Sequence, residues 1–185
     1  MICLYRFFQG LIRSNTFLLG VFLKMDNIAI YPGTFDPPTN GHIDLVKRSL
    51  RMFDKVIVAM SVNPTKTPMF SFDERKQFFM DEFQNEERLS FVSFDKELLV
   101  SFSKKVGAQV IIRGLRAVSD FDYELQMTLM NRYLDESVET IFLMPIQEYS
   151  FLSSSIVKEV ASLGGDVSSM VPSSVLSSLK EQFNK

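Results

Sequence analysis

The chain has no tryptophan, one cysteine and one histidine in 185 residues. A lone Cys3 rules out an intramolecular disulfide, which fits a reducing compartment. Basic excess is missing as well: 20 Lys and Arg stand against 22 Asp and Glu, a net charge of −2, which leaves no electropositive footprint for a nucleic-acid backbone. Long hydrophobic runs are absent from the first 24 residues, whose longest, Phe17 to Leu23, is too short to span a membrane. That segment also lacks a small-residue cleavage site of the secretory kind. There is no internal repeat, low-complexity stretch or linker, so the length implies one domain. What is abundant is phenylalanine, 18 residues, a packing bias in a chain that is 46% hydrophobic and otherwise composed like a soluble globular protein.

Residues 1–24 differ from the rest. They carry Arg6, Arg13 and Lys24 and no acid; removing these three charges from −2 leaves −5 for the remainder. The segment reads as a dispensable extension, from a start assigned too far upstream or from a targeting peptide, with a single domain over 25–185.

From Asn27 onward, short apolar runs alternate with helical patterns. Ile28–Tyr31, Lys55–Ser61, Leu89–Phe94, Gln109–Ile112 and Thr140–Met144 read as strands. Between and after them, Ile43, Val46, Leu50 and Phe53 form a helical stripe, and Ser71 with Glu74 is a capping-box pair opening a helix that bears Phe78, Phe79 and Phe83. Helices are also expected over Leu98–Val106, Asp120–Leu134 and Ser153–Leu163, the last ended by Gly164–Gly165. Pro172 fits the first turn of a final helix. Strict alternation predicts an α/β fold: an open, mostly parallel, five-stranded sheet with helices on both faces. Ligands of such sheets bind beyond the carboxyl ends of the strands.

The segment after the first strand, YPGTFDPPTNGH (31–42), is the most informative. Gly33 and Gly41 permit tight turns and close backbone approach. His42 falls at the start of a helix, where unpaired N–H groups favour an anion such as phosphate. Thr34 adds a hydroxyl donor. The loop is not a Walker A motif, because no G-K-[ST] closes it. A histidine at a helix start can equally be a plain surface-turn residue. Arg113-Gly114-Leu115-Arg116 sets two cations around a glycine after the fourth strand, an arrangement suited to anions. Ser153-Ser154-Ser155 opens a helix after the fifth, where a serine N-cap is common without any function.

Thr39-Asn40-Gly41-His42 resembles the H-x-G-H or T-x-G-H element of the nucleotidyltransferase superfamily. The longer string AIYPGTFDPPTNGHIDLV (29–46) closely resembles the phosphopantetheine adenylyltransferase family. So do PTKTPMF (64–70), IIRGLRAVSDFDYELQM (111–127), MNRYL (130–134), IFLMP (141–145) and SFLSSSIVKEVA (150–161), in the right order. The resemblance implies a nucleotidyltransferase fold and transfer of an adenylyl group from ATP to 4′-phosphopantetheine, giving dephospho-coenzyme A and pyrophosphate. It assigns the α-phosphate to His42 and Thr34 and an ATP contact to Phe35. Lys66 and Arg113 would hold the phosphate of phosphopantetheine, with Thr34 beside it and Leu99 along the pantetheine arm. Gly114, Leu115, Arg116 and Glu124 would contact ATP. Ser153, Ser154 and Ser155 would hold its outer phosphates, with Tyr149, Ser150, Phe151 and Leu152 near the adenine or phosphates.

The nucleophile in that chemistry is a phosphate oxygen that is already charged. The protein therefore supplies position and charge stabilisation, which accounts for the absence of a Ser-His-Asp set. Magnesium is expected to arrive on the nucleotide, with no fixed protein metal site. The resemblance also implies a homohexamer, feedback inhibition by coenzyme A and a cytoplasmic location, with neither nucleic acid nor membrane as partner. The alternatives are another small-molecule nucleotidyltransferase, such as a nicotinate mononucleotide adenylyltransferase, and a non-catalytic nucleotide sensor. IIRGLRA and MNRYL favour phosphopantetheine over the first; the joint presence of His42, Lys66 and Arg113 argues against the second.

Overall fold

The computed structural model describes residues 26–61, 68–116 and 118–183. Five strands form one sheet: β1 (Ile28–Gly33), β2 (Lys55–Ser61), β3 (Leu89–Phe94), β4 (Val110–Gly114) and β5 (Glu139–Leu143). The helices are α1 (Asn40–Met52), α2 (Phe72–Glu82), α3 (Leu99–Lys105), α4 (Val118–Leu134), α5 (Ser154–Ser162) and α6 (Ser173–Phe183), with a short 3-10 turn at Gln147–Tyr149. The strand order is β3-β2-β1-β4-β5, and every pairing is parallel.

Period-two alternation splits the strands between two core layers. Ala29 and Tyr31 of β1, with Val56, Val58 and Met60 of β2, pack on one face beneath Val46 and Leu50 of α1 and Phe79 of α2. Ile30, Ile57 and Ala59 face the other way, onto Val100 and Phe102 of α3. A third cluster joins Phe70 and Phe78 to Val157 of α5 and Val175 and Leu179 of α6.

The order places the topological switch point between β1 and β4. The chain moves outward from β1 through β2 to β3, then returns to start again on the opposite side. The loops after β1 and β4 therefore diverge, leaving a crevice at the carboxyl ends of these strands. β2 and β3 keep the expected bounds; the other strands and helices with expected ranges differ from them by one to two residues, at ends where terminal pairing decides the boundary. One shift matters: β4 runs on to Gly114, so Arg113 and Gly114 are strand residues paired with Phe142 and Leu143 of β5 and not loop residues. Pro172 stands just before α6, its carbonyl accepting the N–H of Leu176.

Candidate active site

A cleft of about 480 Å3 opens at this switch point. Its floor is the segment from Tyr31 to Phe35 at the end of β1. Phe35 adopts φ +51°, an uncommon conformation for a residue with a side chain. Its buried ring makes edge contacts with Tyr31, His42 and Phe79 at centroid distances of 5.1, 5.1 and 5.3 Å. The ring also lies over Gly33, where an added Cβ would come within 2.6 Å of it. The Thr34 hydroxyl sits 3.3 Å from that of Ser61, which ends β2 and also lines the cleft.

His42 occupies the third position of α1, where Glu or Gln normally completes a capping box. Its Nδ1 accepts the backbone N–H of Thr39 at 3.0 Å, and its own N–H points to the Thr39 hydroxyl at 3.4 Å. A backbone amide can only donate, so Nδ1 is the acceptor and the neutral ring carries its proton on Nε2. Burial, aided by the charge of Arg116, lowers the His42 pKa to about 4. At neutral pH this ring is a fixed, uncharged donor in the wall of the cleft.

On the β4 side, the Arg113 guanidinium forks onto the Glu124 carboxylate of α4, with Nε and Nη2 donating at 2.7 and 2.5 Å. Burial works against the Arg113 charge, but the hydrogen bonds and charge of Glu124 outweigh it and raise the pKa. Arg116 donates to the Leu152 carbonyl at 3.0 Å and to Asp120 at 3.2 Å. Gly114 allows close approach of α1, since a Cβ there would meet Leu45 at 2.9 Å. Tyr31, buried beside these arginines, has its pKa raised, burial outweighing the opposing pull of Arg113 and Arg116.

The third wall is the start of α5. Ser153 is its N-cap, accepting the Ile156 N–H at 3.1 Å, and Ser154 donates to the Pro37 carbonyl at 2.7 Å. Ser153, Ser154 and Ser155 all line the cleft, as do Tyr149, Leu152, Leu99 and Phe94.

Of the expected site residues, the fold thus gathers Thr34, Phe35, His42, Leu99, Arg113, Gly114, Arg116, Glu124, Tyr149, Leu152 and the three serines around one space. Leu115, Ser150 and Phe151 are not among the residues lining it. Leu115 is buried, with its N–H bonded to the Leu143 carbonyl; Ser150 donates to the Gln147 carbonyl; Phe151 is exposed. Lys66 lies outside the described residues. Tyr31 and Ser61 also line the cleft; no motif marks them as site residues, although each stands at or near the carboxyl end of a predicted strand.

Among the described residues no cluster of three His, Cys, Asp or Glu side chains is placed to hold a metal. Glu124, the carboxylate among the described lining residues, is already engaged by Arg113. This donor set, of hydroxyls, guanidinium groups and an imidazole N–H, suits a polyanion. Among the described residues, no helix is long and apolar enough to cross a membrane.

Known proteins match both the sequence and the fold. The cytidylyltransferase-like family model matches residues 30–160. A phosphopantetheine adenylyltransferase from Caldanaerobacter subterraneus subsp. tengcongensis is 51% identical over 158 residues, covering 85% of this chain and 98% of that protein. One from Thermodesulfovibrio yellowstonii is 49% identical over 162 residues, covering 87% and 100%. Among solved structures, a bifunctional NMN adenylyltransferase/ADP ribose pyrophosphatase from Francisella tularensis superposes with a TM-score of 0.63 at 14% identity, over 87% of this chain and 51% of that one. That likeness is one of fold.

Proposed function

The chain belongs to the phosphopantetheine adenylyltransferase family, and from that premise we propose how its site performs the reaction. The enzyme transfers the adenylyl group of ATP to 4′-phosphopantetheine, the penultimate step of coenzyme A biosynthesis. An acceptor phosphate oxygen attacks the α-phosphorus in line. The new P–O bond forms as the bond to the β-phosphate oxygen breaks, and pyrophosphate leaves. No proton has to be removed from the nucleophile, and no covalent enzyme intermediate is needed. The observation that carries this reading is the His42 geometry: the residue lines the cleft, and with Nδ1 occupied by Thr39 its neutral ring keeps Nε2–H as its donor. Such a donor stabilises charge growing on the α-phosphate oxygens without having to reorganise.

Thr34 and the Phe35 backbone lie at the same floor and bind the α-phosphate. Arg113, held by Glu124, faces the acceptor phosphate, with Lys66 as its expected companion and Leu99 along the pantetheine arm. Arg116, Gly114, Glu124, Tyr149 and Leu152 serve the nucleotide. Ser153, Ser154 and Ser155 take the outer phosphates. Magnesium enters as part of the substrate, carried on the ATP phosphates.

The assembly is a homohexamer in this reading, with coenzyme A as feedback inhibitor and the cytoplasm as its location. Support for self-association comes from α4, where Tyr123, Met127, Met130 and Leu134 recur at helical spacing and are 64, 40, 53 and 46% exposed. Sedimentation velocity on the full chain tests it: a stable monomer at micromolar concentration would remove the hexamer.

The reaction is tested by pyrophosphate release from ATP with 4′-phosphopantetheine, with nicotinate mononucleotide, or with no acceptor. Release with 4′-phosphopantetheine alone is expected. Release with nicotinate mononucleotide instead would keep the fold and move the substrate. A second protein begun at Met25 should match the full chain if residues 1–24 are dispensable.

A further inference from the structure

Beneath the cleft floor lies a group of charged side chains that do not line the cleft. Asp36 is 4% exposed. Its carboxylate accepts three hydrogen bonds: from the Phe70 N–H at 2.9 Å, from the Met69 N–H at 3.0 Å and from the Lys158 ammonium at 2.7 Å. Arg75 is 1% exposed; its guanidinium donates to the Thr34 carbonyl at 2.6 Å and, through Nε, to the Ser71 carbonyl at 3.2 Å. The Ser154 hydroxyl reaches the Pro37 carbonyl from the same side as Lys158, since both belong to α5.

Resting on the adenylyl-transfer reading above, we propose that Asp36 and Lys158 are positioning residues for that reaction: their ion pair fixes the Thr34–Pro37 backbone against the start of α5, and so sets the distance between the α-phosphate donors and the serines that take the outer phosphates.

Three observations support this. The contacts of Asp36 join segments 33, 34 and 122 positions apart in the chain, so the carboxylate is a junction between the loop after β1, the entry to α2, and α5. Phe35, between Thr34 and Asp36, holds φ +51°, a conformation that persists only when its surroundings over-determine it. Stability alone does not account for the charges: Asp36 is buried but the Lys158 side chain is 29% exposed, and a partly buried pair of this kind is often no better than apolar residues of equal volume. What a carboxylate with three donors provides is direction. In a reaction catalysed by placement and preorganised charge, a misplacement of ~1 Å can cost on the order of 100-fold in rate.

The experiment compares the full-length wild type with Asp36→Asn, Lys158→Met and Lys158→Arg. It measures kcat and both KM values by pyrophosphate release, and the thermal midpoint of each protein. Lys158→Met removes the cation at nearly constant volume. It should lower kcat by roughly 10- to 100-fold while both KM values stay within about threefold, in a protein still folded at the assay temperature. Lys158→Arg, which can still bridge to Asp36, should recover most of that loss. Asp36→Asn should lose at least as much as Lys158→Met; if it does not fold, the Lys158 pair decides. A merely structural role would lower the midpoint and leave kcat per folded molecule intact. Folded Lys158→Met with kcat within twofold of wild type, or Lys158→Arg no better than Lys158→Met, overturns the proposal. Wild type that releases no pyrophosphate overturns the adenylyl-transfer reading itself, and this proposal with it.

Discussion

The Nδ1 of His42 accepts the backbone N–H of Thr39 at 3.0 Å, so one side chain both caps α1 and presents a donor to the cleft. The two roles use different nitrogens and can be separated. In His42→Asn the side-chain oxygen can still accept near the Nδ1 position, but nothing replaces Nε2–H. Loss of one such preorganised donor typically costs about 100- to 1000-fold in kcat. We expect that loss with little change in the KM for ATP, and a melting temperature close to wild type. A kcat within threefold of wild type would take His42 out of the chemistry.

The same residue gives a pH dependence with a defined sign. Its pKa is lowered by burial, then by Arg116, from 6.5 to about 4 in the folded protein. Between those values the unfolded chain binds the proton and the folded one does not. Stability from this group is therefore complete above about pH 6.5 and falls as the pH drops toward 4. Thermal melts at pH 7 and pH 5 should show wild type losing more than His42→Asn. Equal losses would mean that the ring is not held neutral.

Much of this was legible because it is local. The Lys55–Ser61 and Leu89–Phe94 strands coincide with their apolar runs, and the Ser71–Glu74 capping box is read from residues three apart. The Thr39–His42 box is equally local but hidden, since histidine replaces the usual Glu or Gln. Arg75 sits in the charged run DERK and looks solvated in sequence; only the packing of α2 under Thr34 buries it. Asp36 is hidden in the same way, its partners lying far along the chain. The resemblance gives Arg113 and Glu124 each a ligand, yet their pairing depends on how α4 folds back over β4.

That pairing makes Arg113 sensitive to geometry as well as charge. Its two parallel donors match the two oxygens of Glu124, which orients the remaining face of the guanidinium. Lysine keeps the charge but offers no planar fork. Arg113→Lys should therefore lower kcat/KM for 4′-phosphopantetheine by about 10- to 100-fold, while ATP binding measured by calorimetry stays within a few-fold. Equal losses for both substrates would show that Arg113 does not belong to the acceptor side.

Gly33 offers a test of how rigid the floor is. An alanine Cβ there would lie 2.6 Å from the tip of the Phe35 ring and 2.9 Å from both adjacent ring carbons. The ring cannot swing away freely, because Tyr31, His42 and Phe79 meet it edge-on and it is 3% exposed. Overpacking of this kind costs roughly 1–3 kcal/mol. Gly33→Ala should lose that much in denaturant unfolding and should also lower kcat, because displacing Phe35 pushes on the His42 ring. Shortening the obstacle should relieve it: Gly33→Ala with Phe35→Leu should be less destabilised than the sum of the two single changes, a coupling expected only between groups in contact. Strict additivity would show that the backbone moves at Gly33 and the ring stays put.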